Sequence, residues 1–193
     1  MCFTGATKAR TRGPPTPMSA AQSPFVHIRD ANAADLPRIV AILNEAIVHT
    51  TAIWSLQPTS VAERAAWLAD RQAKGQPVLV ATPGPDAPPG EVLGFATYGE
   101  FRARSGYQHT VENSLYVDEA ARGRGIGTAL LSALLARATA AGLHVMIAGI
   151  EASNLTSIRL HQRYGFSETG RLPQVGRKFD RWLDLVFLQK ILN

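Results

Sequence analysis

Apolar residues recur along this chain with two different periods, and the switches between them mark out its elements. Phe25-Val26-His27-Ile28-Arg29 alternates as a short strand. Asn32 then stands as N-cap to a helix whose apolar stripe is Leu36, Ile39, Val40, Leu43 and Ile47, the spacing of one helical face. Ser60 with Glu63 makes a capping box for a second helix that ends near Gly75. Val78–Ala81 reads as a strand, the proline-rich run 82–90 as a loop, and Glu91–Tyr98 as the hairpin partner. Thr110–Val117 is the next strand, followed by a long helix from Thr128 carrying Leu130, Leu131, Leu134 and Leu135 and closed by Gly142. His144–Ile150 is a near-continuous apolar run, as a buried central strand should be. A short helix from Asn154 to Tyr164 is stopped by Gly165, and Trp182–Leu188 is a last strand. The order β-α-α-β-β-β-α-β-α-β-β predicts one α/β domain over 25–193 with a mixed sheet and no internal repeat.

Composition narrows the class. Hydrophobic residues make up 46% and charged residues 18% of the 193, which suits a single globular domain with a proper core. No apolar run approaches the roughly 18 residues that span a bilayer, so no membrane role is expected. Residues 1–24 hold no acidic residue and no apolar period, and they are expected to be a disordered tail. They lack the apolar core of a signal peptide. Met18 precedes the first strand closely enough that residues 1–17 could be an upstream extension. The single cysteine, Cys2, excludes an intramolecular disulfide or a thiolate metal cluster and fits a reducing cytoplasm. Of the net charge of +5, Lys8, Arg10 and Arg12 contribute three from the tail, and the arginines of the body crowd around one glycine-rich turn. That favours a small anionic cofactor over nucleic acid.

The turn is Arg122-Gly123-Arg124-Gly125-Ile126-Gly127, between an apolar strand and a helix. Three glycines in five positions let successive N–H groups point into one concavity. The helix adds its positive N-terminal end, and the arginines add full charges. Such a turn cradles a pyrophosphate. A phosphate-binding P-loop would need Gly-Lys-Ser/Thr, and Thr128 follows Gly127 with no lysine. A dinucleotide fingerprint would want the glycines directly after the strand; Asp118–Ala121 intervene, although Glu151 stands where its acidic residue would fall. A turn that holds no ligand is the plainest alternative.

Arg122-x-x-Gly125-x-Gly127 resembles the pyrophosphate signature of the GNAT N-acetyltransferases. Asn154 opening a short helix that runs to Tyr164-Gly165-Phe166 is similar to that superfamily's second marker. The element order agrees, so the resemblance spans residues 25–190. Within the superfamily the chain looks most like the phosphinothricin and methionine sulfoximine/sulfone N-acetyltransferases. The matching stretches are Thr50–Trp54, Gly99–Tyr107, Thr110–Val117, Arg159–His161 and Leu172–Phe179. Arg102-Ala103-Arg104 and Asn113 mix features of the two types, and Tyr164 stands where leucine is usual.

The resemblance implies a GNAT fold with about seven strands flanked by about four helices, acetyl-CoA as co-substrate, a small amino acid as acceptor, a homodimer and no metal. It places the cofactor on Leu115, Tyr116, Val117, Arg122, Gly123, Arg124, Gly125, Ile126, Gly127, Thr128 and Asn154. It places the acceptor against Trp54, Arg102, Ala103, Arg104, Tyr107, Glu112, Asn113 and Ser114. Glu112 is the candidate general base; its ordinary pKa of about 4.3 is low for that task, so partial desolvation or a relaying water is required. A backbone N–H within Leu115–Val117 could hold the oxyanion if that strand splays from its neighbour. His161 occupies the position of the superfamily's usual tyrosine acid, with acid, relay or ligand roles open. Each has a duller alternative: Glu112 and the loop arginines as solvated charges, His161 as a satisfied buried ring, Trp54 and Tyr107 as core aromatics. A polyamine or peptide acceptor and a non-catalytic acyl-CoA-binding regulator are the competing functions.

Overall fold

A computed structural model describes residues 26–192. The expectations for the tail, Cys2, Met18 and the start of the first strand at Phe25 lie outside those residues. Seven strands form one sheet in the order β1-β2-β3-β4-β5-β7-β6. They are β1 His27–Asp30, β2 Val78–Thr82, β3 Gly94–Glu100, β4 Thr110–Val117, β5 Val145–Glu151, β6 Ser167–Lys178 and β7 Arg181–Ile191. Helices α1 Leu36–His49 and α2 Val61–Ala73 cover one face, and α3 Ile126–Ala140 and α4 Leu155–Arg163 cover the other. The expected element order is therefore the observed one.

Strand alternation divides the core in two. Val78 and Val80 of β2 face the α1/α2 layer with Ile39, Leu43 and Ile47, while Leu79 and Ala81 face the α3/α4 layer with Leu130, Leu131 and Leu134. β2 is buried at every residue because helices pack on both faces. Several expected details shift. Asn32 caps a 3-10 turn over Ala33–Asp35, and α1 starts only at Leu36, with Pro37 in its first turn. Ile42 and Ala46 are buried on α1, whereas Val40 is only half-buried, because the helix packs against both the sheet and α2. α3 begins at Ile126, two residues early, since Gly125 itself is the N-cap at φ +79°. The capping box of Ser60 and Glu63 on α2 is as expected.

The last third of the chain holds more strand than its apolar pattern suggests. β6 runs through Leu172, Pro173 and Gly176 at the edge of the sheet, where a missing donor costs nothing and bulges are absorbed. Phe179 and Asp180 turn the hairpin with both φ values positive, at 50° and 56°.

One feature of the pairing positions the site. β4 and β5 are parallel and pair through Thr110↔Val145, Val111↔Met146 and Glu112↔Ile147. Beyond Glu112 the two strands separate, β4 staying with β3 and β5 with β7. A wedge opens in the middle of the sheet with Glu112 at its apex.

Candidate active site

The wedge and the turn into α3 border a cleft of about 1190 Å3. Leu115, Tyr116 and Val117 of β4 line it, with Arg122, Gly123 and Gly125 of the turn, Ile126, Gly127 and Thr128 of α3, and Asn154 at the start of α4. Arg124 is exposed and does not line it. Gly123 and Gly125 have φ of +76° and +79°, the left-handed region, and a Cβ on either would meet only open space. That open space is the hollow above the turn. Gly127 is small for a different reason: a Cβ there would lie 3.3 Å from Leu160 of α4 and 3.7 Å from Leu115. Among the described residues, the backbone amides of 123–128 donate to no backbone acceptor. Consecutive unfilled donors at a helix N-terminus want an anion with several oxygens. The residues present therefore fit the pyrophosphate of an acyl-CoA.

Glu112 is half-buried on β4, opposite Gly99 of β3 and Ile147 of β5. Its carboxylate swings toward β5, where Oε1 lies 2.8 Å from the point a Cβ on Gly149 would occupy. The missing side chain at 149 is what makes room for it. Burial pushes the Glu112 pKa up, against the opposing pull of the Arg102 guanidinium. The desolvation expected of a general base is thus present, and β4 splays just beyond this residue as an oxyanion donor requires. In an extended strand alternate N–H groups point to opposite edges, so part of the 113–117 backbone faces the gap.

His161 and Asn113 are brought together, but on the other face of β4. Alternation puts Glu112, Ser114 and Tyr116 toward α1/α2, and Asn113 toward α4. His161 is buried, with Nδ1 2.9 Å from the Ser157 carbonyl oxygen, Nε2 3.3 Å from the Asn113 side chain, and Phe166 edge-on at 5.0 Å. Burial holds its pKa below that of a free histidine, against the hydrogen bond to Ser157. With Nδ1–H donated to Ser157, Nε2 of the neutral ring carries a lone pair. The Asn113 Nδ2, which otherwise has no partner, satisfies it when that nitrogen faces the ring. As placed, it is Asn113 Oδ1 that faces Nε2; turning the amide over puts the unpartnered Nδ2 there and leaves a satisfied, neutral histidine, and neither His161 nor Asn113 lines the cleft.

The expected acceptor residues scatter more widely. Arg102, Ala103, Arg104 and Tyr107 sit exposed on the β3–β4 loop. Arg102 donates to the Phe101 carbonyl at 3.0 Å with its guanidinium 4.2 Å over the Phe101 ring, and Tyr107 meets that ring edge-on at 5.8 Å. None of the four lines the cleft. Trp54 donates to the Thr51 carbonyl at 3.1 Å and lies flat on Gly176 of β6, where a Cβ would come within 2.4 Å of the ring. Ser114 does line a cavity, a second one of about 400 Å3 between the sheet and α1/α2.

Residues outside the expected site, Glu151 and Tyr164 noted in the sequence only for other reasons, hold the cleft in shape. Glu151 accepts from the Thr51 hydroxyl at 3.1 Å and from the Ser153 amide at 3.0 Å, tying the α1–α2 connection to the far wall. Burial raises its pKa, but those hydrogen bonds win and hold it below the usual carboxylate range. Lys178 is buried, and its Nζ donates to the Ile53 carbonyl at 2.7 Å, fixing the same connection to β6. Arg38 bonds to Asp118 and to the Val92 carbonyl, anchoring α1 to the glycine turn. The Tyr164 hydroxyl donates to the Thr128 carbonyl at 3.0 Å and so docks α4 on the first turn of α3. These are long-range contacts that leave no local motif.

A mixed sheet parted over a run of unfilled amides, with a desolvated carboxylate at the point of parting, defines an acyltransferase whose donor carries a pyrophosphate. The chain belongs to the acetyltransferase (GNAT) family, whose model matches residues 39–166. It is 54% identical over 166 residues to the L-methionine sulfoximine/L-methionine sulfone acetyltransferase of Pseudomonas aeruginosa, covering 86% of this chain and 94% of that protein. It is 36% identical over 168 residues to the phosphinothricin N-acetyltransferase of Streptomyces coelicolor, covering 86% and 96%. Among solved structures, the GNAT phosphinothricin acetyltransferase of Sinorhizobium meliloti in complex with AcCoA superposes with a TM-score of 0.82 at 40% identity, over 88% of this chain and 89% of that one. The protein is an N-acetyltransferase with acetyl-CoA as donor.

Proposed function

We propose that this enzyme acetylates the α-amine of a small amino acid whose side chain ends in an oxidised sulfur or phosphorus, with methionine sulfone, methionine sulfoximine and phosphinothricin as acceptors. The observation that carries the reading is Glu112, desolvated at the apex of the wedge on the face opposite the buried His161. Acetyl-CoA supplies the activated acyl group. Glu112 takes a proton from the acceptor's ammonium, directly or through a water, so that the nitrogen has a lone pair for the thioester carbonyl. Free amides of the parted β4 segment stabilise the oxygen as its charge develops. As the C–S bond breaks, the nitrogen gives up its second proton, which ends on the departing CoA thiolate, and Glu112 returns the first to solvent. The names of the relatives support the acceptor class. His161 supports the wall of the site and takes no proton in this reading.

Arg102, whose charge acts on Glu112, and Arg104 on the same exposed loop favour an anionic or zwitterionic acceptor and repel a polycation. The test is a panel of amines with acetyl-CoA and a free-thiol readout. Methionine sulfone, methionine sulfoximine and phosphinothricin release thiol, while spermidine does not; activity on spermidine alone overturns the reading. We further propose a cytoplasmic homodimer. The β6–β7 hairpin exposes Leu172, Val175, Phe179 and Trp182, the last at 61%, an apolar edge that a second copy would cover.

A further inference from the structure

The second cavity, about 400 Å3, lies between α1, α2 and the sheet face that carries Glu112. Its lining includes Arg64, Trp67, Arg71, Thr97, Ser114 and Tyr116. Arg64 donates to the Thr59 hydroxyl and stacks 5.2 Å over Trp67, and no carboxylate pairs with it among the described residues. Glu63 also reaches the cavity wall, but its carboxylate is taken by the Ser60 amide at 2.7 Å, the Ser60 hydroxyl and the Thr59 hydroxyl. The cavity is therefore cationic.

Arg71 is the unusual member. It projects from α2 onto β3 and lies against Gly99, where a Cβ would come 1.8 Å from Nη1 and 2.6 Å from Nη2. Only a glycine leaves space for the guanidinium. Nη1 donates to the Gln76 side chain and to the Tyr98 carbonyl. The opposite edge of the fork is unused: Nε is buried with no partner, Nη2 makes no hydrogen bond, and no Asp or Glu among the described residues pairs with Arg71. An Nε/Nη2 edge is the one that takes a carboxylate through two parallel bonds. A buried donor left without a partner costs about 1–3 kcal/mol, so this edge is unsatisfied until something acidic reaches it.

Gly99 and Glu112 are direct partners across β3 and β4, so their side-chain positions share one face and are neighbours. Glu112 turns its carboxylate away toward Gly149 of β5, while Arg71 lies on the β3 side. An anion with no hydrogen-bonded partner and a cation with an unused fork edge thus flank β4 from opposite sides. An α-amino acid carries an ammonium and a carboxylate on one carbon. We infer that Arg71 is the receptor for the acceptor's α-carboxylate, holding the zwitterion across β4 so that its ammonium meets Glu112 beside the wedge. Arg102 and Arg104 are then left to the side-chain head or to steering. The inference rests on an amino acid being the acceptor, but on no particular side chain.

The test compares the best α-amino acid from a panel of the common amino acids, methionine sulfone, methionine sulfoximine and phosphinothricin with its own decarboxylated amine. For the unaltered enzyme the decarboxylated amine has the higher KM. Arg71→Met raises KM for the amino acid at least about tenfold, as expected when a charge-assisted bidentate contact is lost. KM for acetyl-CoA and for the decarboxylated amine stays within about twofold. Arg71→Lys keeps the charge and loses the fork, and it gives an intermediate KM; it serves also if the methionine variant does not fold. A best acceptor with an unoxidised side chain, still showing this pattern, would overturn the proposed side-chain class and leave the Arg71 assignment standing. An unchanged amino-acid KM in a folded variant, equal losses for acid and amine, or a best acceptor without a carboxylate would each overturn the assignment.

Discussion

Glycine, glutamate and histidine each have a separable test at the scale of a single side chain. Gly125 caps α3 at φ +79° and borders the hollow of the cleft. Gly125→Ala is expected to cost about 1–2 kcal/mol of stability from the left-handed backbone. Its methyl group also intrudes on the hollow, so acetyl-CoA affinity falls at least about tenfold by calorimetry on the folded protein. Glu112→Gln removes the basic oxygen and keeps the shape. Turnover drops by roughly two orders of magnitude, with acetyl-CoA binding nearly unchanged. Because burial raises the Glu112 pKa, the acidic limb of the kcat/KM profile lies above the ordinary glutamate range in the unaltered enzyme. Unchanged turnover in the glutamine variant would remove Glu112 from the mechanism. His161 is predicted to matter for stability more than for rate. Its folded pKa is below 6.5, so the unfolded chain binds the proton first, and stability is lost as pH falls below about 6.5. The melting temperature of His161→Phe should fall less steeply between about pH 6.5 and 5; an identical slope would contradict a neutral buried ring.

At the scale of elements, the entry to α1 depends on one ion pair. Asp35 is wholly buried where the 3-10 turn meets the helix, accepting from Arg29 of β1 at 2.7 and 2.8 Å and from the Asn32 amide at 2.9 Å. Burial alone would raise its pKa, but the Arg29 fork and the amide hold it below the usual range. Arg29→Met leaves that carboxylate buried and unpaired, and should cost about 3–5 kcal/mol in denaturant unfolding. Most of the loss should disappear at a pH low enough to protonate Asp35 in the folded variant. A loss under about 1 kcal/mol would show that solvent reaches Asp35 once the pair is broken.

At the scale of the whole molecule, the open question is how the β6–β7 edge is covered. Phe179 and Trp182 stand 53% and 61% exposed at the end of the hairpin. The same hairpin touches the α1–α2 connection through Trp54 on Gly176 and through Lys178. Light scattering should give twice the chain mass, and replacing both aromatics by lysine should give a monomer. A monomeric unaltered protein would refute the homodimer.

The local pattern carried much of this protein. Apolar periodicity placed the order of helices and strands, Ser60 and Glu63 marked a helix start, and the glycines of 123–127 marked the anion cradle, because each depends on neighbours within one turn or one strand. Glu112 was legible as a candidate base through its place in a matching stretch. Tertiary structure alone decided the rest. β6 is a strand through proline and glycine only because an edge tolerates them. His161 and Asn113 lie on the face away from Glu112 because side chains alternate along β4, and residues adjacent in a motif are then opposed across a sheet. Arg71 has no local signature at all. It matters only because Gly99, 28 positions on in the chain, leaves the hollow that seats its guanidinium on β3 at the position paired with Glu112, and pairing of that range depends on how strands assemble and not on what precedes or follows a residue.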